Sequence, residues 1–516
     1  MWVAAGILLS RVSGLIRDRV FAHYFGNSAA ADAFRAAFRI PNLLQNLFGE
    51  GVLSASFIPV YARLLSHGRE AEAGRVAAAI LSLLALVVSL LVLVGILTTP
   101  YLIDAIVPGF TGEKRHLTIQ LVRTLFPGAG LLVLSAWCLG ILNSHGRFFL
   151  SYAAPVLWNA VMIATLIGFG GSREPFPLAE ILAWGSVAGS ALQVGVQVPS
   201  VLSLAEGLRP SFHVMLPEVR TVVRNFGPAF ISRGVVQISA YVDALLASFL
   251  PTGAVAALGY AQALYILPVS LFGMSVSAAE LPTMSGARGD DREVGAYLRQ
   301  RLNAGLARVA FFIIPSAVAL LALGDVIAAA VYQTGRFTHH DALYVWGILA
   351  GSAPGLLAST LGRLYASVYY ALRDTRTPLH YAITRIALGT ALGYPGALWL
   401  PPLLGIEARW GVAGLTLASS LAGWVELSLL RHSLRGRLGA TGLPWSFAAK
   451  LWTAAVVGAV VGWLVKLAAA QPDPIFAAAL ILMPYGLVYL AITYGWGVPE
   501  ARQLVAWVLR RREAGL

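Results

Sequence analysis

Apolar runs of about twenty residues recur along this 516-residue chain, and that pattern constrains its fold more than any other feature. At about 1.5 Å of helix per residue, such a run matches the ~30 Å hydrocarbon core of a bilayer, where the backbone must satisfy its own hydrogen bonds. The clear runs lie at 76–101, 117–143, 152–169 and 178–204, then at 222–250, 255–284, 304–332, 340–371, 379–400 and 410–430, and finally at 447–469 and 475–496. Two charged helices near 3–25 and 29–63 precede them, which makes fourteen. With 58% hydrophobic and 12% charged residues and a mean hydropathy of +0.74, the chain is too apolar for a soluble globule. The fold class is an all-α polytopic membrane protein. The runs group as six spans over 1–205, six over 206–437, and a pair over 438–516 that ends in an amphipathic tail, Glu500–Arg512.

The net charge of +13 does not point to nucleic acid, because no basic run exceeds Arg510-Arg511-Arg512 and the other cations lie between apolar blocks. Their distribution reports orientation instead. With a cytoplasmic N-terminus, alternate loops place 21 Lys and Arg inside, among them Arg63, Arg69, Arg288 and Arg373, against 5 outside: Lys114, Arg115, Arg173, Arg336 and Arg409. By the positive-inside rule both termini are expected in the cytoplasm. A single cysteine, Cys138, in an apolar run offers neither a disulfide framework nor a thiolate metal site, and reads as a lipid-side or packing residue. The short run Val3–Leu9 leads into Arg11 without a cleavable signal pattern.

Charge inside this oily chain concentrates in its first sixty residues. Read as one helix, Asp32, Arg35, Arg39, Asn42, Asn46 and Glu50 recur every three or four residues and form a polar stripe, opposite Phe34, Phe38, Pro41, Leu44, Phe48 and Val52. Upstream, Arg11 and Asp18 lie two turns apart on one face, with Arg17 beside them. A central Arg or Asp facing lipid costs about 2.5–3.5 kcal/mol on the gentler insertion scale, so these faces are expected to line a wet cavity. Two plainer readings stay open: a pair of surface amphipathic helices, or a structural ion network in which Arg11 pairs with Asp18. Arg35 is expected to snorkel to the outer interface.

The two blocks of six also echo one another. Ser10-Arg11, Asp18, Leu47-Phe48-Gly49 and Pro59 have counterparts in Ser232-Arg233, Asp243, Leu271-Phe272-Gly273 and Pro282. A second echo pairs Asn143–Arg147 with Leu372–Arg376. An offset of six spans is even, so the repeats share one orientation and are expected about an axis along the membrane normal.

Ser10-Arg11, Gly14, Arg17-Asp18, Asp32, Arg39, Pro41-Asn42, Glu50-Gly51, Phe57 and Pro59 resemble the signature first two helices of the MurJ (MviN) lipid II flippases, of the multidrug/oligosaccharidyl-lipid/polysaccharide exporter superfamily. His145-Gly146-Arg147-Phe148 and Arg373-Asp374-Thr375 with Pro378 are similar to that family's cytoplasmic loop motifs. The resemblance implies two six-helix lobes around a central cavity, and a final helix pair forming an oily groove for a polyprenyl tail. That groove is expected beside the first lobe. It also implies alternating-access transport, from the inner to the outer leaflet of the bacterial inner membrane, of an undecaprenyl-diphosphate-linked sugar-peptide. Arginine suits the diphosphate, because its planar fork makes bidentate hydrogen bonds to phosphate oxygens. Arg11, Arg17 and Arg39 are the candidate contacts, with Asp18, Asp32, Asn42 and Glu50 lining the same site and the carboxylates holding the arginines. Secondary cavity candidates are Gln45, Arg233, Asp243, Gln262 and Arg385.

The chain departs from the family pattern at two cavity positions, where Gln45 and Ala263 stand in place of arginine; Arg385 is a candidate replacement. Asp243 matches an acidic residue implicated in sodium binding in some relatives, yet the partner positions on the eleventh helix are Gly389 and Gly393. No cofactor or metal is therefore expected, with sodium and coupling to the membrane potential left open. Nine histidines, including His339-His340, lack a metal-ligand spacing, no nucleotide-binding loop is present, and Asp290-Asp291 reads as a solvated turn. A non-enzymatic, monomeric transporter acting on lipid II among membrane lipids is expected. The alternatives are an exporter of another polyprenyl-linked glycan or of drugs and, with less support, a membrane enzyme acting on a polyprenyl phosphate.

Overall fold

The computed structural model describes residues 2–205, 208, 216–286, 290–468 and 473–513, and the regular elements among them are helices. Ten helical segments are long and apolar enough to cross a membrane. Four more, of 20 to 32 residues, fall short on apolarity: α1 (Trp2–Phe25), α2 (Ala29–Phe48), α9 (Pro217–Ser248) and α15 (Arg376–Leu398). These four carry Arg11, Arg17, Asp18, Asp32, Arg39, Asp243 and Arg385, so the charges that mark the candidate site also hide its helices from a hydropathy count.

The chain divides into two compact units, the first holding Met1–Ala256 with Thr334–Phe337. Besides α1, α2 and α9 it contains α3 (Glu50–Ser56), α4 (Ile58–Ser66), α5 (Glu70–Ile106), α6 (Gly112–Ser144), α7 (Phe148–Phe169) and α8 (Pro175–Leu204). The hub is α6, which packs on α2, α5 and α8 while α1 packs on α7. Of its most apolar stretch 78% is buried, against 22% for α5, so α6 is a core helix and α5 faces lipid. Phe57, Tyr61, Val76, Trp137, Ile141 and Leu142 fill the core, and Cys138 is a buried packing residue there. The turn Thr334–Phe337 belongs to this unit because the Arg336 amide donates to the His23 carbonyl at 2.8 Å.

The single helix expected over 29–63 is broken. Helix α2 stops at Phe48, and Gly49 leaves the helical path with ψ −146°. A Cβ at Gly49 would lie 2.1 Å from the Gln45 carbonyl oxygen, so only glycine fits the break. Glu50 consequently opens α3 and is not the end of the stripe on α2.

The second unit holds Ala257–Gln333 and Thr338–Leu516. Helix α10 (Ala254–Pro268) runs through a π-helical turn, Val269–Met274, into α11 (Ser275–Ser285). Then follow α12 (Asp291–Ala322), α13 (Gly324–Tyr332), α14 (His339–Ala371), α15, the short α16 (Leu400–Leu403) and α17 (Gly411–Leu438). The run expected at 304–332 is two helices. Asp290, read from sequence as part of a solvated turn, caps α12 in a reciprocal box with Glu293 and starts it thirteen residues early. Helix α14 packs on α12 and α17, and α15 also packs on α17, where the Gly396 and Gly414 backbones meet too closely to admit a Cβ at Gly414.

Both sequence echoes fall on breaks in helical geometry. Leu47-Phe48-Gly49 ends α2, and Leu271-Phe272-Gly273 lies in the π-helical turn. In the second echo Gly146 (φ +74°) and Arg373 (φ +60°) both take the left-handed conformation between two helices. Next to Arg373, the Thr377 amide, the Thr377 hydroxyl and the Arg437 guanidinium hold the Asp374 carboxyl below the usual carboxylate range.

Helices α18 (Trp445–Ala468) and α19 (Pro474–Gly495) pack on each other and on α12 and α13, so this terminal pair is seated on the second unit and not on the first lobe. The final helix is α20 (Pro499–Glu513). Pro315 explains the seat. Lacking an N–H, it leaves the Phe311 carbonyl without its helical donor, and the Tyr489 hydroxyl of α19 donates to that oxygen at 2.6 Å. The Tyr485 hydroxyl donates to the Pro315 carbonyl itself, and Lys466 of α18 pairs with Asp325 at the start of α13. Tyr489→Phe should therefore lower stability by about 1–3 kcal/mol, the cost of an unsatisfied buried acceptor. Thermal unfolding of the detergent-purified protein, compared with Tyr494→Phe on the exposed side of α19, checks this.

Candidate functional site

Charge in the first unit is gathered into three knots, each tying elements distant in sequence. The first joins α1, α2 and α7. Asp18 is buried and its Oδ1 accepts from Arg17 Nη2 at 2.9 Å, while Arg35 Nη2 of α2 lies 3.6 Å from the same oxygen. Arg17 Nη1 also donates to Asn159 Oδ1 of α7 at 3.1 Å, and Asn159 Nδ2 donates to Ser13 Oγ at 2.9 Å. The guanidinium of Arg17 lies over the Trp158 ring at 5.0 Å, and that of Arg35 over Phe21 at 4.9 Å. Two guanidiniums thus share one carboxylate, and aromatic faces and an amide take the remaining donors.

The second knot belongs to Asp32, which is 1% exposed. Its carboxylate accepts from the amides of Gly253 and Ala256 at 2.7 and 2.8 Å and pairs with Lys114 Nζ of α6 at 3.1 Å. It caps the start of α10. Its oxygens hold a lysine and two amides, not an arginine as expected from the stripe. In the third knot the Tyr241 hydroxyl of α9 donates to the Arg39 carbonyl at 2.8 Å, and the Arg39 side chain feels the charge of Asp243, opposed by Arg35.

Two expectations from the stripe are corrected. Arg11 is exposed and makes no ion pair among the described residues; Asp18 is matched by Arg17 and Arg35, because α2 brings Arg35 against the buried end of α1. For the same reason Arg35 does not snorkel outward. Asn42 and Gln45 are half-buried on α2, and the side chains of Glu50 and Arg233 lie outside the described residues.

The second unit carries a knot of its own. Arg385 Nε of α15 lies 3.1 Å from Glu426 Oε2 of α17, and Arg363 of α14 acts on the same carboxylate. The Tyr265 and Ser359 hydroxyls hydrogen-bond at 3.0 Å beside this pair of cations, and Gln262 is half-buried one turn before Tyr265 on α10. Sequence reasoning found Arg385 but passed over Arg363 and Glu426, although an ionisable residue inside an apolar run was the available signal. It also missed Asn159 and Trp158, which carry no charge pattern, and took Lys114 for a loop cation. In both units the arginine-rich knot keeps one guanidinium more than it has carboxylates, which gives it a positive field at membrane depth. No cluster of His, Cys, Asp and Glu among the described residues could hold a metal ion.

The family model for the lipid II flippase MurJ matches residues 21–483. The chain belongs to the MurJ family. It is 31% identical over 487 residues to a probable lipid II flippase MurJ of Rhizobium tropici, covering 93% of this chain and 88% of that one. To the lipid II flippase MurJ of Burkholderia cenocepacia it is 32% identical over 444 residues, covering 84% and 83%. A solved lipid II flippase MurJ in an inward closed conformation superposes with a TM-score of 0.78 at 25% identity, over 98% of this chain and 99% of that one. An inward-facing multidrug transporter of the MATE family shares the fold, with a TM-score of 0.66 at 15% identity over 84% and 96%. The MurJ fold is therefore present along essentially the whole chain, in a multi-pass inner-membrane protein.

A double-mutant cycle separates the pairings in the first knot. Arg11 and Asp18 should be additive within about 0.5 kcal/mol, whereas Arg17 and Asp18 should show a coupling of roughly 1–3 kcal/mol. Thermal unfolding of the four proteins in each cycle is the measurement.

Proposed function

We propose that this chain is a lipid II flippase that moves the undecaprenyl-diphosphate-linked precursor from the cytoplasmic to the outer leaflet by alternating access. The observation that carries the reading is the excess of guanidinium over carboxylate in the knot on α1, α2 and α7, within a chain of the MurJ family. A diphosphate is the ligand such a field favours, and the arginine fork matches its oxygens. Arg17, Arg39 and the exposed Arg11 are the proposed head-group contacts. Asp18 holds Arg17 and Arg35 in place, and Asp32 serves as an anchor, since its oxygens are already occupied. The terminal pair offers the lipid tail an oily surface through Val460, Leu464, Met483 and Leu487. The protein acts as a monomeric transporter and not as an enzyme, and Arg385 with Glu426 supplies in the second unit a charge pair that needs no sodium ion.

The chain should restore growth to cells depleted of their own flippase, with lipid II appearing in the outer leaflet. Arg17→Ala and Arg39→Ala should abolish that signal while the protein still inserts, and Arg→Lys should restore part of it, because the charge remains but the fork is lost. Gln45 and Ala263 give the alternative substrate its test: failure of complementation together with export of a different polyprenyl-linked glycan would reassign the cargo and keep the mechanism.

The loop charge bias places both termini in the cytoplasm. Thr252→Cys should then react with an impermeant thiol reagent added outside intact cells, and Arg292→Cys should react only after permeabilisation. The reverse pattern would invert the topology.

A further inference from the structure

Where α4 ends, α5 begins and α9 begins, a cavity of about 260 Å³ opens, several times the ~30 Å³ of a water molecule. Its polar lining combines opposite charges. Arg63, His67 and Arg69 stand on one side and Glu218 on the other, over an apolar wall of Val60 and Leu64. The charges are only partly matched. Arg69 pairs with Glu72 and, at 3.7 Å, with Glu218 Oε1. Arg63 makes no ion pair among the described residues, and Glu218 Oε2 is a buried oxygen without a donor. An unpaired cation and an unpaired carboxylate oxygen therefore line one cavity without pairing with each other. Between them α9 begins, and the first-turn amides of Glu218 and Val219 have no carbonyl partner within their own helix.

We infer that this cavity is a binding site for a zwitterionic phospholipid head group bearing a primary amine, of the phosphoethanolamine class. The phosphate lies against Arg63 and the start of α9, and the ammonium donates to Glu218 Oε2, which supplies the missing donor. Lipid is the source because the site opens at the first turn of α5, the lipid-facing helix of the unit. A phosphocholine group is disfavoured, since its quaternary nitrogen has no hydrogen to donate. An anionic glycerol head group is disfavoured as well, since it places no cation against the carboxylate. The site lies outside the arginine knots and does not depend on the flippase reading.

Native mass spectrometry of the full-length purified protein with chain-matched phosphatidylethanolamine, phosphatidylcholine and phosphatidylglycerol tests the inference. Phosphatidylethanolamine should be retained about tenfold better than phosphatidylcholine, the worth of one charge-assisted hydrogen bond. Glu218→Gln should bring that ratio near one, and Arg63→Gln should weaken retention of both lipids. Soluble phosphoethanolamine should compete where inorganic phosphate at the same concentration does not. Equal retention of the three lipids by the parent protein, an unchanged ratio in Glu218→Gln, or equal competition by phosphate would each overturn the assignment. If Glu218→Gln fails to fold, the exposed Arg63→Gln and the parent's lipid preference decide the question. Because the readout is lipid retention and not transport, it stands whether or not the chain flips lipid II.

Discussion

The structure depends on how a guanidinium is kept inside an apolar helix bundle. An arginine there needs a carboxylate, further acceptors and a flat surface for its faces, or the helix that carries it leaves the bilayer. Arg17 has all three: Asp18, Asn159 and the Trp158 ring. Arg35 takes what remains of Asp18 together with the face of Phe21. This shared carboxylate draws α1, α2 and α7 together, and it leaves a positive charge uncompensated. The same arrangement, with different residues on different helices, recurs at Arg363, Arg385 and Glu426. A bundle selected for stability alone would replace such groups with hydrocarbon, since a buried ion pair seldom outperforms one of similar volume. Their presence in both units is what a protein handling a phosphorylated lipid requires.

The backbone obeys the same accounting. Each proline inside a span frees a carbonyl, and at Pro315 the freed oxygen becomes a fastening point for Tyr489 of the terminal pair. Asp32 does comparable work at the start of α10, where two helix-start amides would otherwise lack acceptors. Interruptions of regular helix thus serve as the joints between elements. Gly49 is the clearest case, because it converts one long charged helix into three short ones and turns the polar stripe aside before Glu50.

Much of this architecture was legible in the sequence. Runs of apolar residues have one solution in a bilayer, so the existence and approximate limits of the long helices followed from composition and length. The motifs of the first sixty residues carried the family, and the six-span offset between Leu47-Phe48-Gly49 and Leu271-Phe272-Gly273 marked two positions where helical geometry changes. That Arg17 and Asp18 belong to a charged site also followed, because an ionised group inside an apolar run is too costly to be incidental.

Partnership was decided only by the tertiary structure. Helical periodicity says which residues share a face, but a face has no partner until another helix is laid against it. Arg11 and Asp18 share a face of α1, yet Asp18 is matched by Arg17 and by Arg35 of α2. Asp32 shares a stripe with Arg39, yet it is held by Lys114 and the start of α10, contacts 82 to 224 positions away in the chain. Asn159, Arg363 and Glu426 carry no local pattern, and they gain their roles from the helices packed beside them. Sequence alone determined that charge had to be buried in this protein and roughly where. Coulomb attraction and hydrogen bonding act over a few ångströms of space and not along the chain, so only the fold could determine which charges meet.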